Sequence, residues 1–116
     1  MATVSPVVKR TTEGVPYVIW EGIVTGDTLD AFALPEPWGL ASSVQVSGTF
    51  GGATVKLQQS NDSSTFLDIK DVHGTTVSAT AAAIFELSLS AAYLRPAIAS
   101  GSANDVDVIL VLRGKR

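Results

Sequence analysis

Cysteine is absent from this chain, and histidine occurs once, at His73. The first absence excludes disulfides, cysteine nucleophiles, Cys-ligated zinc and iron–sulfur clusters, and it removes any sign of an oxidising compartment. The second leaves a Ser-His-Asp site with one residue to be built around. No G-x-S-x-G elbow accompanies His73, which sits in the turn-like run Asp71-Val72-His73-Gly74, so a solvated turn histidine is the preferred reading over a catalytic base. Nowhere do eighteen uncharged apolar residues follow one another, and Met1 to Arg10 hold no apolar stretch long enough for a signal peptide. The expectation is a soluble protein made without an export signal. Convincing helical periodicity is also missing. The alanines at Ala81-Ala82-Ala83 favour a helix by propensity, but three residues cannot sustain one.

What is present is a 116-residue chain that is 46% apolar and only 16% charged, with plentiful Ser, Thr, Gly and Ala. That length makes one packing unit, 1–116, able to bury roughly two-thirds of its unfolded surface without staples. The net charge of −3 hides an asymmetry. All eleven acids fall between Glu13 and Asp107, where Lys56, Lys70 and Arg95 are the only bases, while Lys9, Arg10, Arg113, Lys115 and Arg116 lie outside that span. The body is acidic and the two ends are basic. This argues against nucleic-acid binding by the folded surface and leaves the ends, 1–12 and 113–116, free to meet an acidic partner. Solubilising tails explain the same residues without a partner.

Period-two alternation dominates the pattern. It is clearest at Val44-Gln45-Val46-Ser47-Gly48-Thr49-Phe50 and Val55-Lys56-Leu57-Gln58, which read as half-buried strands. Gly51-Gly52 between them supplies two residues free to take positive φ, and the spacing predicts an antiparallel hairpin. Ser60-Asn61-Asp62-Ser63-Ser64 reads as a turn whose side chains bond their own backbone, followed by an extended Phe66-Leu67-Asp68-Ile69. Thr75 to Ser78, Phe85 to Leu89, Tyr93 to Ile98 and Val106 to Leu112 continue the series, the last being the strongest strand. Pro96 cannot donate to a ladder, so its strand is expected at an edge or with a bulge. Earlier in the chain, Tyr17 to Val24 and Ala31 to Leu34 read as strands, and Pro35-Glu36-Pro37-Trp38-Gly39 as a rigid loop. About eight short antiparallel strands without helices predict an all-β, jelly-roll-like sandwich, with an open barrel as the alternative. The expected core includes Val46, Phe50, Val55, Leu57, Leu87, Leu89, Val108 and Leu110.

Few residues suggest chemistry. Asn61, Asp62, Asp68 and Asp71 could surround a calcium ion, but their spacing matches no EF-hand loop and turn-forming Asx residues account for them, so no metal and no cofactor is expected. Gly48, Gly51 and Gly52 lack the following helix and the Lys-Ser or Lys-Thr of a phosphate loop. Trp38, between Pro37 and Gly39, is placed to anchor a protein interface, to stack on a sugar ring, or to plug one end of the sandwich. Trp20, within an apolar strand, is expected in the core.

The stretch Val44 to Asp62, with Tyr93-Leu94-Arg95-Pro96, the strand ending at Leu112-Arg113, Trp20-Glu21-Gly22 and the Gly26-Asp27-Thr28 turn, resembles a family of short structural proteins of tailed bacteriophages. Some of these are capsid decoration proteins, also called cement or staple proteins. Members often carry glycine after Ser-Asn-Asp, where this chain has Ser63. The resemblance implies a small jelly-roll-like domain, without catalysis, on the outside of an icosahedral head, clamping adjacent major capsid subunits, and made in the host cytoplasm. Trp38, Lys9, Arg10, Arg113, Lys115 and Arg116 are the candidate contacts. No membrane partner is expected, and a carbohydrate-binding or tail-adhesion module is the rival class. Self-association is expected as well, with a dimer favoured over a trimer. Long apolar strands, Val106 to Leu112 above all, leave edges to be protected, of which Pro16 and Pro96 would blunt two.

Overall fold

The computed structural model describes residues 3–33, 40–87 and 92–113. Among them there is no helix, and the strands run β1 (Thr3–Val4), β2 (Val7–Arg10), β3 (Pro16–Ile23), β4 (Thr28–Leu29), β5 (Phe32–Ala33), β6 (Leu40–Thr49), β7 (Thr54–Ser60), β8 (Leu67–Asp68), β9 (Ser78–Ala79), β10 (Ala83–Glu86), β11 (Tyr93–Ala99) and β12 (Asp105–Arg113). A first sheet has the order β10-β6-β12-β3-β2, and a second the order β5-β11-β7-β8, with β9 also on β7. A short parallel pair joins β1 to β4. Leaving aside β1, β2, β4 and β9, the eight remaining strands divide between the sheets in the orders sixth-third-eighth-first and second-seventh-fourth-fifth, with only the fourth and fifth adjacent both in the chain and in a sheet. That is a jelly roll, and both ladders are antiparallel throughout.

Alternation explains the two layers. On β12, Val106, Val108, Leu110 and Leu112 are buried, and on β7 Val55 and Leu57 are. These side chains meet Trp20, Val18, Val44, Val46 and Leu94 in one core between the sheets. Seven of the eight expected core residues are buried; Leu89 lies outside the described residues. Trp20 is fully buried and donates its indole N–H to the carbonyl of Asp30 at 2.8 Å, which satisfies its polar edge.

The expected hairpin of β6 and β7 does not form. β6 pairs with β10 and β12, and β7 pairs with β11, β8 and β9. The turn chemistry itself is as read: Gly51 and Gly52 take φ of 57° and 86°, and Ala53 N–H donates to the Phe50 carbonyl at 2.9 Å. The reversal, however, carries the chain from one sheet into the other, with Phe50 and Ala53 buried on either side of it. Both strands then turn their apolar faces toward a common core instead of lying side by side.

Three further expectations change. Lys9 and Arg10 belong to an edge strand, β2, opposite Tyr17 and Pro16, so this end of the chain is in part a paired strand and not a tail. Val106 to Leu112 is no edge: β12 is the middle strand of its sheet, flanked along its length by β3 and β6. Pro16 opens the interior strand β3, where a first residue needs no ladder donor, and so blunts no edge. Pro96 behaves as expected. β5 covers only Tyr93 and Leu94 of β11, which leaves Pro96 on an uncovered flank among the described residues, while the register with β7 runs through it unbroken.

Candidate binding surfaces

One end of the sandwich is tied together by loops from both sheets. Asn104, 6% exposed, accepts from Thr25 N–H at 2.9 Å and donates to Thr25 Oγ1 at 2.8 Å. Thr25 Oγ1 donates to the Ser100 carbonyl at 2.6 Å, and Ser102 N–H donates to the Gly51 carbonyl at 3.0 Å. Gly51 and Gly101 let these backbones approach; a Cβ on Gly51 would overlap the Ser102 carbonyl oxygen. Nearby, β3 bulges so that Glu21 and Gly22 face the single residue Asp107, whose carboxylate accepts from Gly22 N–H at 3.0 Å. The Trp20-Glu21-Gly22, Gly26-Asp27 and Ser-Gly turn segments are therefore framework at this end.

At the opposite end of the first sheet three basic residues come together, beside Glu13 in the β2–β3 turn and Glu86 at the end of β10. Lys9 and Arg10 close β2, and Arg113 closes β12, with β3 between the two strands. Residues more than a hundred positions apart in sequence thus sit about two strand spacings, roughly 10 Å, from each other along the backbone. The Arg10 guanidinium donates to the Gly14 carbonyl at 3.0 Å, which holds the hairpin between β2 and β3. Arg113 pairs in register with Leu40, the first described residue after the Pro35 to Gly39 segment. Trp38, Lys115 and Arg116 lie outside the described residues.

A second surface escaped the sequence reading. On the outer face of the second sheet, Arg95 on β11 lies opposite Gln58 on β7, which lies opposite Asp68 on β8. Arg95 Nε donates to Gln58 Oε1 at 3.2 Å, Gln58 Nε2 donates to Asp68 Oδ1 at 3.3 Å, and Lys56 Nζ donates to Asp68 Oδ2 at 3.3 Å. The chain of bonds fixes the orientation of the Gln58 amide, since only one arrangement satisfies both neighbours. Arg95 also stacks over the Phe66 ring, 3.9 Å from its centre. The bond from Gln58, and next the one from Lys56, hold the Asp68 carboxyl below the usual range. Beside this row, Ala97 and Ala99 leave a shallow groove of about 540 Å3, lined also by Thr54, Lys56, Gln58, Asp68 and Ser100. Scattered in sequence, these residues share a face only through a register that no local pattern announces.

The acidic turn residues do not converge. Asp62 accepts from the Thr65 and Ser64 amides, each at 2.9 Å, and from Ser60 Oγ at 2.7 Å. Those bonds, the Thr65 amide foremost, lower its pKa to about 2. Asp71 caps its own turn through the His73 and Thr75 amides. Each carboxylate is committed to a separate network, and His73 is exposed. Ser60 and Asn104 are the buried polar residues among those described, so the space between the sheets holds no described ionisable group.

No protein-family model matches the chain, and no curated protein matches it. Among solved structures it is similar to a cupin domain from Bordetella pertussis Tohama I, at 13% identity over 97% of this chain and 96% of that one, with a TM-score of 0.48. It is also similar to the protein NMB1881 from Neisseria meningitidis, at 12% identity over 95% and 82% of the chains with a TM-score of 0.37, and to PirA, at 11% identity over 84% of each with a TM-score of 0.39. These likenesses are too distant for any property of those proteins to be carried over.

Proposed function

We propose that this chain is a non-enzymatic structural protein of a tailed bacteriophage that binds the outer surface of the capsid and clamps neighbouring major capsid subunits. The observation that carries the reading is the convergence of the basic ends. Lys9, Arg10 and Arg113 gather at one end of a cross-tied jelly roll whose body is acidic. A clamp needs a scaffold that holds its shape and a charged patch that finds its place, and a lattice multiplies each modest contact into avidity. Purified protein should sediment with undecorated capsids. Reversing Arg10 and Arg113 together to Glu should weaken that binding, more so at low salt. Failure of the unmodified protein to sediment, or its absence from purified virions, would refute the reading.

The groove around Lys56, Gln58, Asp68 and Arg95 favours a second reading, a carbohydrate-binding module. Lys56, Gln58 and Asp68 offer hydrogen-bond donors and a carboxylate acceptor in its lining, and Arg95 lies beside it, bonded to Gln58. Binding to a glycan array that is lost in Arg95→Ala, with no sedimentation on capsids, would put that reading in place of the first.

A further inference from the structure

The outer face of the first sheet is apolar along its middle. One row across the five strands reads Ile84, Gln45, Ile109, Ile19 and Val7, and the adjacent row reads Glu86, Ser43, Val111, Tyr17 and Lys9. Their inward-facing neighbours Val44, Val18 and Leu110 are buried in the core, so the two rows point away from it. Ile84 is 66% exposed and Val7 48%. Ile19, between Ile109 and Val7 in its row, is only 8% exposed, so the open apolar surface lies at Ile84 and Val7 and at the half-buried Ile109 and Val111, and neither Lys9 nor Glu86 forms an ion pair with a described residue.

We propose that this face binds a second copy of the chain, with a two-fold axis lying along β12. β12 is the third of five strands. An axis over it therefore sets β10 of one copy against β2 of the other, and β6 against β3. Glu86 then meets the second copy's Lys9 at both sides of the contact, Ile84 meets Val7, Gln45 meets Ile19, and Ile109 and Val111 meet themselves. The acid stands at one edge of the sheet and the base at the other, in the same row, so this isologous arrangement pairs opposite charges twice. Asp107 bounds the contact. It lies on the same line, two residues toward the loop end, where its carboxylate is held by the Gly22 amide and two copies would repel, so the interface is centred on Ile109 and Val111, toward the other end of β12. With strands about 4.8 Å apart and about six residues of strand in use, each copy contributes roughly 450 Å2, in the range of weak, reversible association.

Sedimentation equilibrium on the purified chain, without capsids, tests this independently of the proposed function. The expected result is a reversible monomer–dimer equilibrium, with a limiting mass twice 12.1 kDa and a dissociation constant in the micromolar range. Ile109→Asp should abolish the dimer. Because that change also puts a charge at a half-buried strand position, the deciding variants are the exposed charges: Lys9→Glu and Glu86→Lys should each weaken association about tenfold at low salt, and together restore it to within about threefold. A monomer at every concentration up to about 500 µM, a trimer, or association that ignores both charge reversals would overturn the proposal.

Discussion

Leu110 and Ile109 are neighbours in sequence with opposite surroundings, which makes them a sensitive test of the sheet assignment. Leu110 is fully buried, with Val44 and Val18 beside it in the ladder. Leu110→Ala removes three carbons, worth about 2.4 kcal/mol at roughly 0.8 kcal/mol each, and a sheet held on both sides cannot collapse to fill the space. The cavity adds about another 1 kcal/mol, so the expected loss is about 3 to 4 kcal/mol, and a fall in melting temperature of about 15 °C. Ile109 faces outward and is half-buried. Ile109→Ala should cost the monomer roughly 1 kcal/mol, from partial burial and reduced strand propensity. Urea denaturation of the two variants at micromolar concentration supplies the comparison. Equal losses, or a larger loss for Ile109→Ala, would mean that β12 presents the wrong face to the core, and the docking surface built on Ile109 would fall with it.

Asp62, with its pKa lowered to about 2 from an ordinary 3.8, stabilises the fold above the unfolded value, and that contribution disappears as pH falls from near 4 through 2. Asp62→Asn should therefore be less stable than the parent at neutral pH, with the gap in denaturation midpoint closing at pH 2; a pH-independent gap would deny the carboxylate this role. Gly51→Ala, where a Cβ overlaps the Ser102 carbonyl, should cost at least about 3 kcal/mol, whereas Gly14→Ala, with nothing within 4 Å, should cost only the about 1 to 2 kcal/mol of its positive φ; similar calorimetric losses for both would contradict the close approach at Gly51. Ser63 holds a φ of 59°, and Ser63→Gly should be neutral or stabilising by up to about 1 kcal/mol in thermal melts, since relief of left-handed strain offsets the added freedom of the unfolded chain.

The departures from the sequence reading share one physical origin. Alternation reports that one side of a strand is dry, and it did so correctly for Val44 to Phe50, Val55 to Gln58 and Val106 to Leu112. It carries no information on which strand lies alongside. In a jelly roll that choice is made by contacts distant in sequence: β6 takes β12, some sixty residues away, over β7, its neighbour across a two-glycine turn. Gly51-Gly52 is compatible with a hairpin and with a crossing between sheets, because both need the same positive φ values. What separates them is Phe50 and Ala53, buried immediately beside the turn, where a hairpin tip would be wet. The polar row of Arg95, Gln58 and Asp68 is invisible for the same reason, as is the gathering of Lys9, Arg10 and Arg113 at one end, since each depends on ladder register and not on local spacing. Surfaces in this fold are products of topology. A single substitution in a ladder can therefore leave the core intact and still dismantle a binding face, which is why the charge reversals on β2 and β10 can separate self-association from folding.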